Sequence, residues 1–201
     1  MKTFGGSDRG EYLAPVVTVD VVSIRLLDDG TIGFAQYVRG REPEKGKRAL
    51  PGAYVYRGDK LLDLAKRVLW ERCGVFSESM RLIMAADDTE RDERGPSVSF
   101  VYLETGNLST ASHVNILPDG FDHSDICMKV FSEIQKTYSL EVMKELLPEK
   151  FTLRQAYELF NTLSSDNVDR ANFINSNKKL WRGTGEKQAG AGRPAELYSL
   201  L

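Results

Sequence analysis

The chain has 201 residues, of which 41% are hydrophobic, and a formal net charge of −2 at pH 7. This composition is ordinary for a globular protein that buries a core. No apolar run is long enough to cross a membrane, and the polar N-terminal stretch has no features of a secretory signal. We therefore expect one or two domains in the cytoplasm, with Cys73 and Cys127 as reduced thiols.

The first part of the chain alternates between strand and turn signals. Pro15–Leu27 is rich in β-branched residues and predicts a strand, and the Asp-Asp-Gly turn after it leads to a second strand over Thr31–Val38. Arg39–Arg48 is a charged loop, and Ala49–Val55 predicts a short strand. Arg39 and Arg41 in that loop could reach an anionic ligand, although a solvated loop is the more common explanation.

A helix is predicted over Leu61–Cys73. Its apolar residues Leu62, Ala65 and Leu69 have the spacing of a helix packed on a sheet, and Gly74 is well placed to end it. On such a helix, positions 68, 71 and 72 share one face because they are spaced i, i+3 and i+4.

The stretch from Leu50 to Val75 resembles a Nudix box, in which a helix presents glutamates to metal ions. The positions that match this pattern are Asp59, Arg67, Leu69, Glu71, Gly74 and Val75. Three positions depart from it: Ala53 stands for the first Gly, and Val68 and Arg72 stand where the family has Glu. Valine cannot bind a metal, and a fixed guanidinium repels one but can pair with phosphate oxygens.

We therefore predict a domain that binds a nucleotide-like ligand without cleaving it, with no catalytic residue, no bound metal and no cofactor. The candidate ligand-binding residues are Arg39, Arg41, Glu71, Arg72 and Arg91. The simpler alternative is a drifted helix that forms no site.

Two further strands are predicted, over Arg81–Asp88 and Pro96–Glu104, with the charged turn Thr89–Gly95 between them. Ser124–Leu146 has helical periodicity with an interruption near Thr137–Ser139. These elements predict a mixed sheet with helices packed on it, an α/β sandwich. His113 and His123 are expected to be structural, because two dispersed histidines and two dispersed cysteines do not make a metal cluster.

Residues 151–201 form a different kind of unit. Thr152 can cap a helix that runs to Leu163, and Asp169 can cap a second helix over Arg170–Leu180. A polar turn separates the two helices, and a Gly-rich hairpin follows them. Helix, turn, helix and hairpin is the order of a winged helix-turn-helix.

The outward face of the second helix has the chemistry of a DNA-binding surface. Lysines neutralise phosphates, and Asn can pair with the edge of adenine. The candidate DNA-binding residues are Arg170, Asn172, Asn175, Lys178, Lys179, Lys187 and Arg193. Residues 151–201 carry seven lysines and arginines against five acids, whereas residues 1–150 carry 20 against 24. The alternative is a small helical subdomain with solvated lysines.

Several short motifs occur in the order found in the NrtR family, the Nudix-related transcriptional regulators of NAD metabolism. They are PVVTVDVV, VRGREPEKGKRALPGAYV, RDERGPSVSFVYL, FDHSDI, LLPEKFTLRQAYELF, VDRANF and GRPAELY. This resemblance implies a homodimeric repressor, a palindromic double-stranded DNA operator near NAD genes, and an ADP-ribose-like effector. It divides the chain into a Nudix-like sensing domain (1–120), linker helices (121–150) and a winged helix-turn-helix (151–201).

The chain departs from the family at Ala53, at Arg48 in place of a common Trp, and in DRANFINSNKKL, which has fewer arginines than the usual recognition helix. Relatives of this architecture also sense sugars. Two alternatives therefore stay open beside an ADP-ribose sensor or a sugar sensor. One is an active Nudix pyrophosphatase, with metal ligands from Glu71, Asp59 and acids near Asp87, Asp88 or Glu90. The other is a regulator whose Nudix domain only dimerises.

Overall fold

A computed structural model describes residues 14–78, 80–87, 91, 94–188 and 194–201. In that part of the chain the strands are β1 (Val16–Leu26), β2 (Ile32–Ala35), β3 (Tyr37–Val38), β4 (Arg48–Ala49), β5 (Gly52–Tyr54), β6 (Arg81–Ala86), β7 (Ser97–Thr105), β8 (His113–Val114), β9 (Trp181–Gln188) and β10 (Ala195–Leu200). The helices are α1 (Leu61–Cys73), α2 (His123–Glu133), α3 (Ser139–Leu146), α4 (Leu153–Leu163) and α5 (Arg170–Asn177). No described helix is long and apolar enough to cross a membrane.

The main sheet is built around β1. Strand β7 pairs with it in parallel from Val16 to Ile24, and on its other side β5 and β2 pair antiparallel with its first and second halves. The order along the sheet is β6-β7-β1-β2-β8, with β5 also on β1. Because β1 is long and β-branched, it can hold neighbours on both edges along its length.

The two faces of this sheet support different helices. Val19 and Val21 of β1 pack with α1, whereas Val22 and Ile24 pack with α2 and α3. A sheet with helices on both faces is the α/β sandwich that the sequence predicted.

Helix α1 has the bounds predicted for it, and Gly74 ends it in the left-handed region with φ 65°. Its apolar face is partly different from the expected one. Leu62 is exposed, because the helix turns Leu64 and Val68 toward the sheet together with Ala65 and Leu69.

The prediction of a single strand over Thr31–Val38 is wrong, because the structure has two strands there, β2 and β3. Gln36 interrupts it: its backbone N–H donates to the Ser112 carbonyl at 2.9 Å, and its side-chain amide donates to the carbonyl of Ile116. Strand β2 therefore stays in the main sheet, while β3 leaves it and pairs with β4. This departure carries the charged loop away from the sheet.

The helical segment from His123 to Leu146 contains the predicted interruption. It is a π-helical turn over Ile134–Tyr138 between α2 and α3. The buried side chains on either side of it, such as Val130 and Val142, still face the same core.

The C-terminal unit has the predicted order. Thr152 and Gln155 form a capping box at the start of α4, and the Asp169 side chain accepts from the N–H groups of Ala171 and Asn172 at the start of α5. The predicted extent of α5 to Leu180 is wrong. The helix ends at Asn177, because a turn closed by the Leu180 N–H on the Asn177 carbonyl leads straight into β9.

An aromatic cluster holds the C-terminal unit together. Phe173 of α5 lies 4.8 Å from Phe160, 5.8 Å from Tyr157 and 5.6 Å from Trp181, measured between ring centroids. These rings belong to the same buried cluster as Ile126 and its neighbours under the main sheet. One continuous core therefore joins the sheet, the linker helices and the winged unit.

A buried polar network lies in the interior of the main sheet. Arg25 donates two hydrogen bonds of 2.8 Å to Glu104, and Ser23 bridges Glu104 to His113. Burial, followed by the nearby Arg25 charge, lowers the pKa of His113 to about 4. His113 is therefore neutral in the folded protein near neutral pH, in the structural role that was expected of it.

The lowered pKa of His113 makes stability depend on pH. Below pH 6.5 the unfolded chain takes up a proton that the folded chain refuses until about pH 4, so the free energy of unfolding falls as the pH falls through this window. The loss reaches about 2 kcal/mol at pH 5. Urea unfolding at pH 7.5 and pH 5 measures it. In His113→Gln the loss between these two pH values should be about 2 kcal/mol smaller than in the wild type. The pKa of His123 is also lowered by burial, so its own contribution remains in the variant. A loss equal to that of the wild type would contradict the assignment.

Candidate ligand cleft and nucleic-acid interface

A cleft of about 840 Å³ lies beside β1 and β5, under the charged loop and against α1. All five predicted ligand-binding residues line it, so the fold brings together parts of the chain that are far apart in sequence. Its further lining includes residues that the sequence did not single out as ligand contacts: Asp20, Tyr37, Tyr54, Arg67, Arg94, Phe121, Asp122 and His123. Its volume lies within the usual range for small-ligand sites.

The charge of this lining favours an anion. Among its described residues, six are arginines (Arg39, Arg41, Arg67, Arg72, Arg91 and Arg94) and four are acids (Asp20, Glu42, Glu71 and Asp122). The excess of two positive charges matches a ligand with two negative charges, such as a diphosphate.

Aromatic rings hold several of these arginines in place. The guanidinium carbons of Arg39 and Arg94 lie 4.7 and 5.1 Å from the centroid of the Phe121 ring, and that of Arg72 lies 5.0 Å from Tyr37. Stacking on a ring leaves the edge of a guanidinium available to phosphate oxygens. Phe121 has a positive φ of 52°, a strained backbone that persists only where its surroundings impose it.

The face of α1 that carries positions 68, 71 and 72 forms one wall of the cleft. Val68, Glu71 and Arg72 all line it, as their spacing on one helix face predicted. Val68 is 3% exposed and packs into the core beneath α1, so this position offers an apolar floor and no oxygen ligand.

Asp59 is absent from the lining of the cleft. Its carboxylate accepts from the Tyr56 N–H at 2.9 Å and lies 3.7 Å from Arg67. The described residues contain no group of three or more His, Cys, Asp or Glu that could hold a metal. Asp88 and Glu90, named in the pyrophosphatase alternative, lie outside the described residues.

Asp20 anchors the floor of the cleft. It accepts a 2.6 Å hydrogen bond from the Ser99 hydroxyl, and its other oxygen lies 3.7 Å from Nε2 of His123. His123 accepts the Leu50 N–H through Nδ1 at 2.9 Å, and burial lowers its pKa against the opposing charges of Asp20 and Asp122. His123 thus ties the start of α2 to the cleft, the supporting role that the sequence favoured.

The Arg91 side chain is largely buried, with 8% of its surface exposed. Its guanidinium donates to both oxygens of Asp122, at 2.7 and 2.6 Å, and lies 3.6 Å from Asp20. Burial disfavours its charge, but these two carboxylates outweigh that effect and raise its pKa. Sequence reasoning named Arg91 and missed Asp122, because the partner lies 31 residues away.

The predicted DNA-binding residues lie on one region of the C-terminal unit. Arg170, Asn172 and Asn175 are exposed on α5, Lys178 and Lys179 are exposed in the turn after it, and Lys187 is exposed on β9. Arg193 lies outside the described residues. Strands β9 and β10 form the antiparallel hairpin expected of a wing.

A family model described as the NrtR DNA-binding winged helix domain matches residues 143–200. The chain carries an NrtR winged helix. The resemblance to NrtR-type, Nudix-related regulators is thereby confirmed. The match begins within α3, before the boundary predicted at residue 151, and the division of residues 1–150 into two parts stays a prediction.

Two relatives match this chain over most of its length. The ADPR responsive transcriptional repressor NtrR of Acinetobacter baylyi is 25% identical over 210 residues, which cover 94% of this chain and 84% of the relative. The crystal structure of Shewanella oneidensis NrtR with a 27mer DNA is 24% identical with a TM-score of 0.75, covering 92% of this chain and 93% of that one. The Nudix domain of that NrtR, solved with ADP ribose, is 21% identical with a TM-score of 0.52, covering 60% and 89%.

A substitution at Gly52 tests how tightly the cleft is packed around Asp20. A Cβ at position 52 would lie 2.2 Å from the Asp20 carboxylate and 3.0 Å from a backbone carbonyl, so Gly52→Ala must push that carboxylate aside. We expect a loss of about 1–3 kcal/mol in the free energy of unfolding. Gly40→Ala is the matched control, because Gly40 lines the same cleft with open space around it. Equal stability of the two variants would contradict the packing described.

Proposed function

We propose that this protein is a DNA-binding transcriptional repressor whose Nudix-like domain senses ADP-ribose or a closely related nucleotide. The observation that carries the proposal is an arginine-lined cleft in the Nudix-like domain, joined by a continuous core to an NrtR winged helix. The NtrR relative is described as an ADPR responsive repressor, and the Nudix domain of a structural neighbour binds ADP ribose.

The chemistry of the cleft supports a ligand with a diphosphate. Arg39, Arg41 and Arg72 have no carboxylate within 4 Å among the described residues, so their charges are available to phosphate oxygens. Tyr37, Tyr54 and Phe121 supply aromatic surface for a nucleobase or a ribose. A neutral sugar would leave the arginine excess without a partner.

We further infer that the cleft binds its ligand without hydrolysing it. Hydrolysis of a diphosphate by a Nudix helix needs carboxylates that hold divalent cations, and this helix presents Val68 and Arg72 at two of those positions. The Arg72 charge occupies the place of a cation and pairs directly with the ligand.

The output of the protein is DNA binding by α5 and the hairpin. Asn172 and Asn175 are exposed on α5 and would read base edges in the major groove, while the exposed lysines would neutralise phosphates. A homodimer would bring two such units to a palindromic operator near NAD genes, with half-sites about one helical turn apart or a multiple of it. Such a regulator works in the compartment that holds the DNA, which fits the expected cytoplasmic location.

Arg72→Glu tests the sensor site. Reversing this charge removes a phosphate partner and adds a repulsive one, so ADP-ribose should bind at least about tenfold more weakly by calorimetry. Arg57→Glu makes the same charge change at an exposed residue outside the cleft and should bind like the wild type. Tighter binding by Arg72→Glu would show that Arg72 does not replace the metal.

The same samples separate the sensor from a pyrophosphatase. With Mg²⁺ or Mn²⁺ present, we expect ADP-ribose to remain intact over hours by chromatography. Substantial turnover by the wild-type protein would overturn the proposal of binding without hydrolysis.

Two substitutions test the DNA-binding surface. Lys178→Ala should weaken binding about equally for all sequences and lower the salt slope by roughly one unit. Asn175→Ala should relax base preference at one position, with a loss of about 1–3 kcal/mol of discrimination. Lys129→Ala, an exposed lysine of α2, is the control and should leave both quantities unchanged. Footprints and salt slopes that stay unchanged in the first two variants would contradict the assignment of α5.

A further inference from the structure

Asp122 stands at the junction between the ligand cleft and the helices that lead to the winged unit. It lines the cleft together with its neighbours Phe121 and His123, and it is the residue that precedes α2. From there one helical segment runs through the π-helical turn to Leu146, where the winged-helix match has already begun. A change in the contacts of the Asp122 carboxylate therefore acts on the N-terminal end of that helical segment.

The Asp122 carboxylate has two possible partners. It is held by two hydrogen bonds from Arg91, of 2.7 and 2.6 Å, and in the described structure it makes no capping hydrogen bond to α2. Aspartate in the residue before a helix normally accepts from the N–H groups two and three residues on, here Ser124 and Asp125. Arg91 thus draws the carboxylate away from the helix end that it is suited to cap.

An anionic ligand would compete for the same guanidinium. The Arg91 side chain is 8% exposed and lines the cleft, and the edge of its guanidinium formed by Nε and Nη2 is used by Asp122. Phosphate oxygens can take those hydrogen bonds, and the ligand's charge repels the Asp122 carboxylate beside it. Asp20, 3.6 Å away, keeps Arg91 in the cleft when Asp122 leaves.

We propose that the Arg91–Asp122 pair is a ligand-released latch: an anionic effector takes Arg91, and the freed Asp122 carboxylate caps α2. The latch rests on the proposed function for the identity of the effector, although its geometry concerns any diphosphate. The latch couples the ligand cleft to α2 because the effector binds the released state more tightly than the latched state. A ligand shifts an equilibrium between two states only when it binds one of them more tightly. The capped helix end compensates for the broken ion pair.

Asp122→Asn tests the latch, because asparagine caps a helix as well as aspartate but cannot hold Arg91 through a charge. The variant should bind ADP-ribose about tenfold more tightly than the wild type, measured by calorimetry on the full chain. Without ligand, its affinity for operator DNA should equal that of the wild type saturated with ADP-ribose. Asp125→Asn is the matched control, since it removes the same charge from an exposed residue in the first turn of α2. Equal ligand affinities of the two variants would overturn the latch.

Amide hydrogen exchange provides a readout in the wild-type protein. Saturation with ADP-ribose should slow exchange at the N–H groups of Ser124 and Asp125 by about fivefold, as Asp122 comes to cap them. Asp122→Asn should have the slow rates without any ligand. Rates in the wild type that do not change on saturation would contradict the latch.

Binding of inorganic pyrophosphate tests the latch independently of the identity of the effector. If no variant binds ADP-ribose but Asp122→Asn binds pyrophosphate more tightly than Asp125→Asn, the effector is wrong and the latch stands. If pyrophosphate also binds the two variants alike, the latch is overturned.

Discussion

In the described part of the chain six arginines line one cleft, and the repulsion between their like charges must be offset by acids, aromatic rings or a ligand. Arg91 is neutralised by Asp122 and Asp20, while Arg39 and Arg72 are spread over aromatic rings instead of being paired with acids. Among the described residues, Arg39, Arg41 and Arg72 have no carboxylate partner. The proposed diphosphate ligand would pair with these arginines, because phosphate oxygens accept hydrogen bonds from guanidinium groups.

The same groups connect the cleft to the rest of the molecule. Asp20 lies on the central strand, Asp122 begins the linker helices, and the core beneath those helices continues into the aromatic cluster around Phe173. A ligand that rearranges one charged pair therefore acts on elements that are packed together as far as α5. Coupling of this kind needs only a small rearrangement, because a close-packed core transmits it.

The features that the sequence predicted are those with local causes. Thr152, Asp169 and Gly74 mark helix ends by their own chemistry, and the face shared by positions 68, 71 and 72 follows from helix spacing. The features it missed depend on distant partners. Gln36 breaks a strand because carbonyls about 80 residues away accept its hydrogen bonds, and the pair formed by Arg91 and Asp122 requires the folded sheet. Contacts between residues so far apart leave no periodic pattern in the sequence.

The central claim is that one chain reads DNA with its C-terminal unit under the control of an anion in its Nudix-like cleft. Selection of bound sequences from random DNA by the full-length protein, with and without ADP-ribose, tests it most directly. The account predicts enrichment of a palindrome with two half-sites, and a change in binding to it of at least about fivefold when ADP-ribose is present. Absence of any enriched sequence, or the same binding with and without ADP-ribose, would contradict the account.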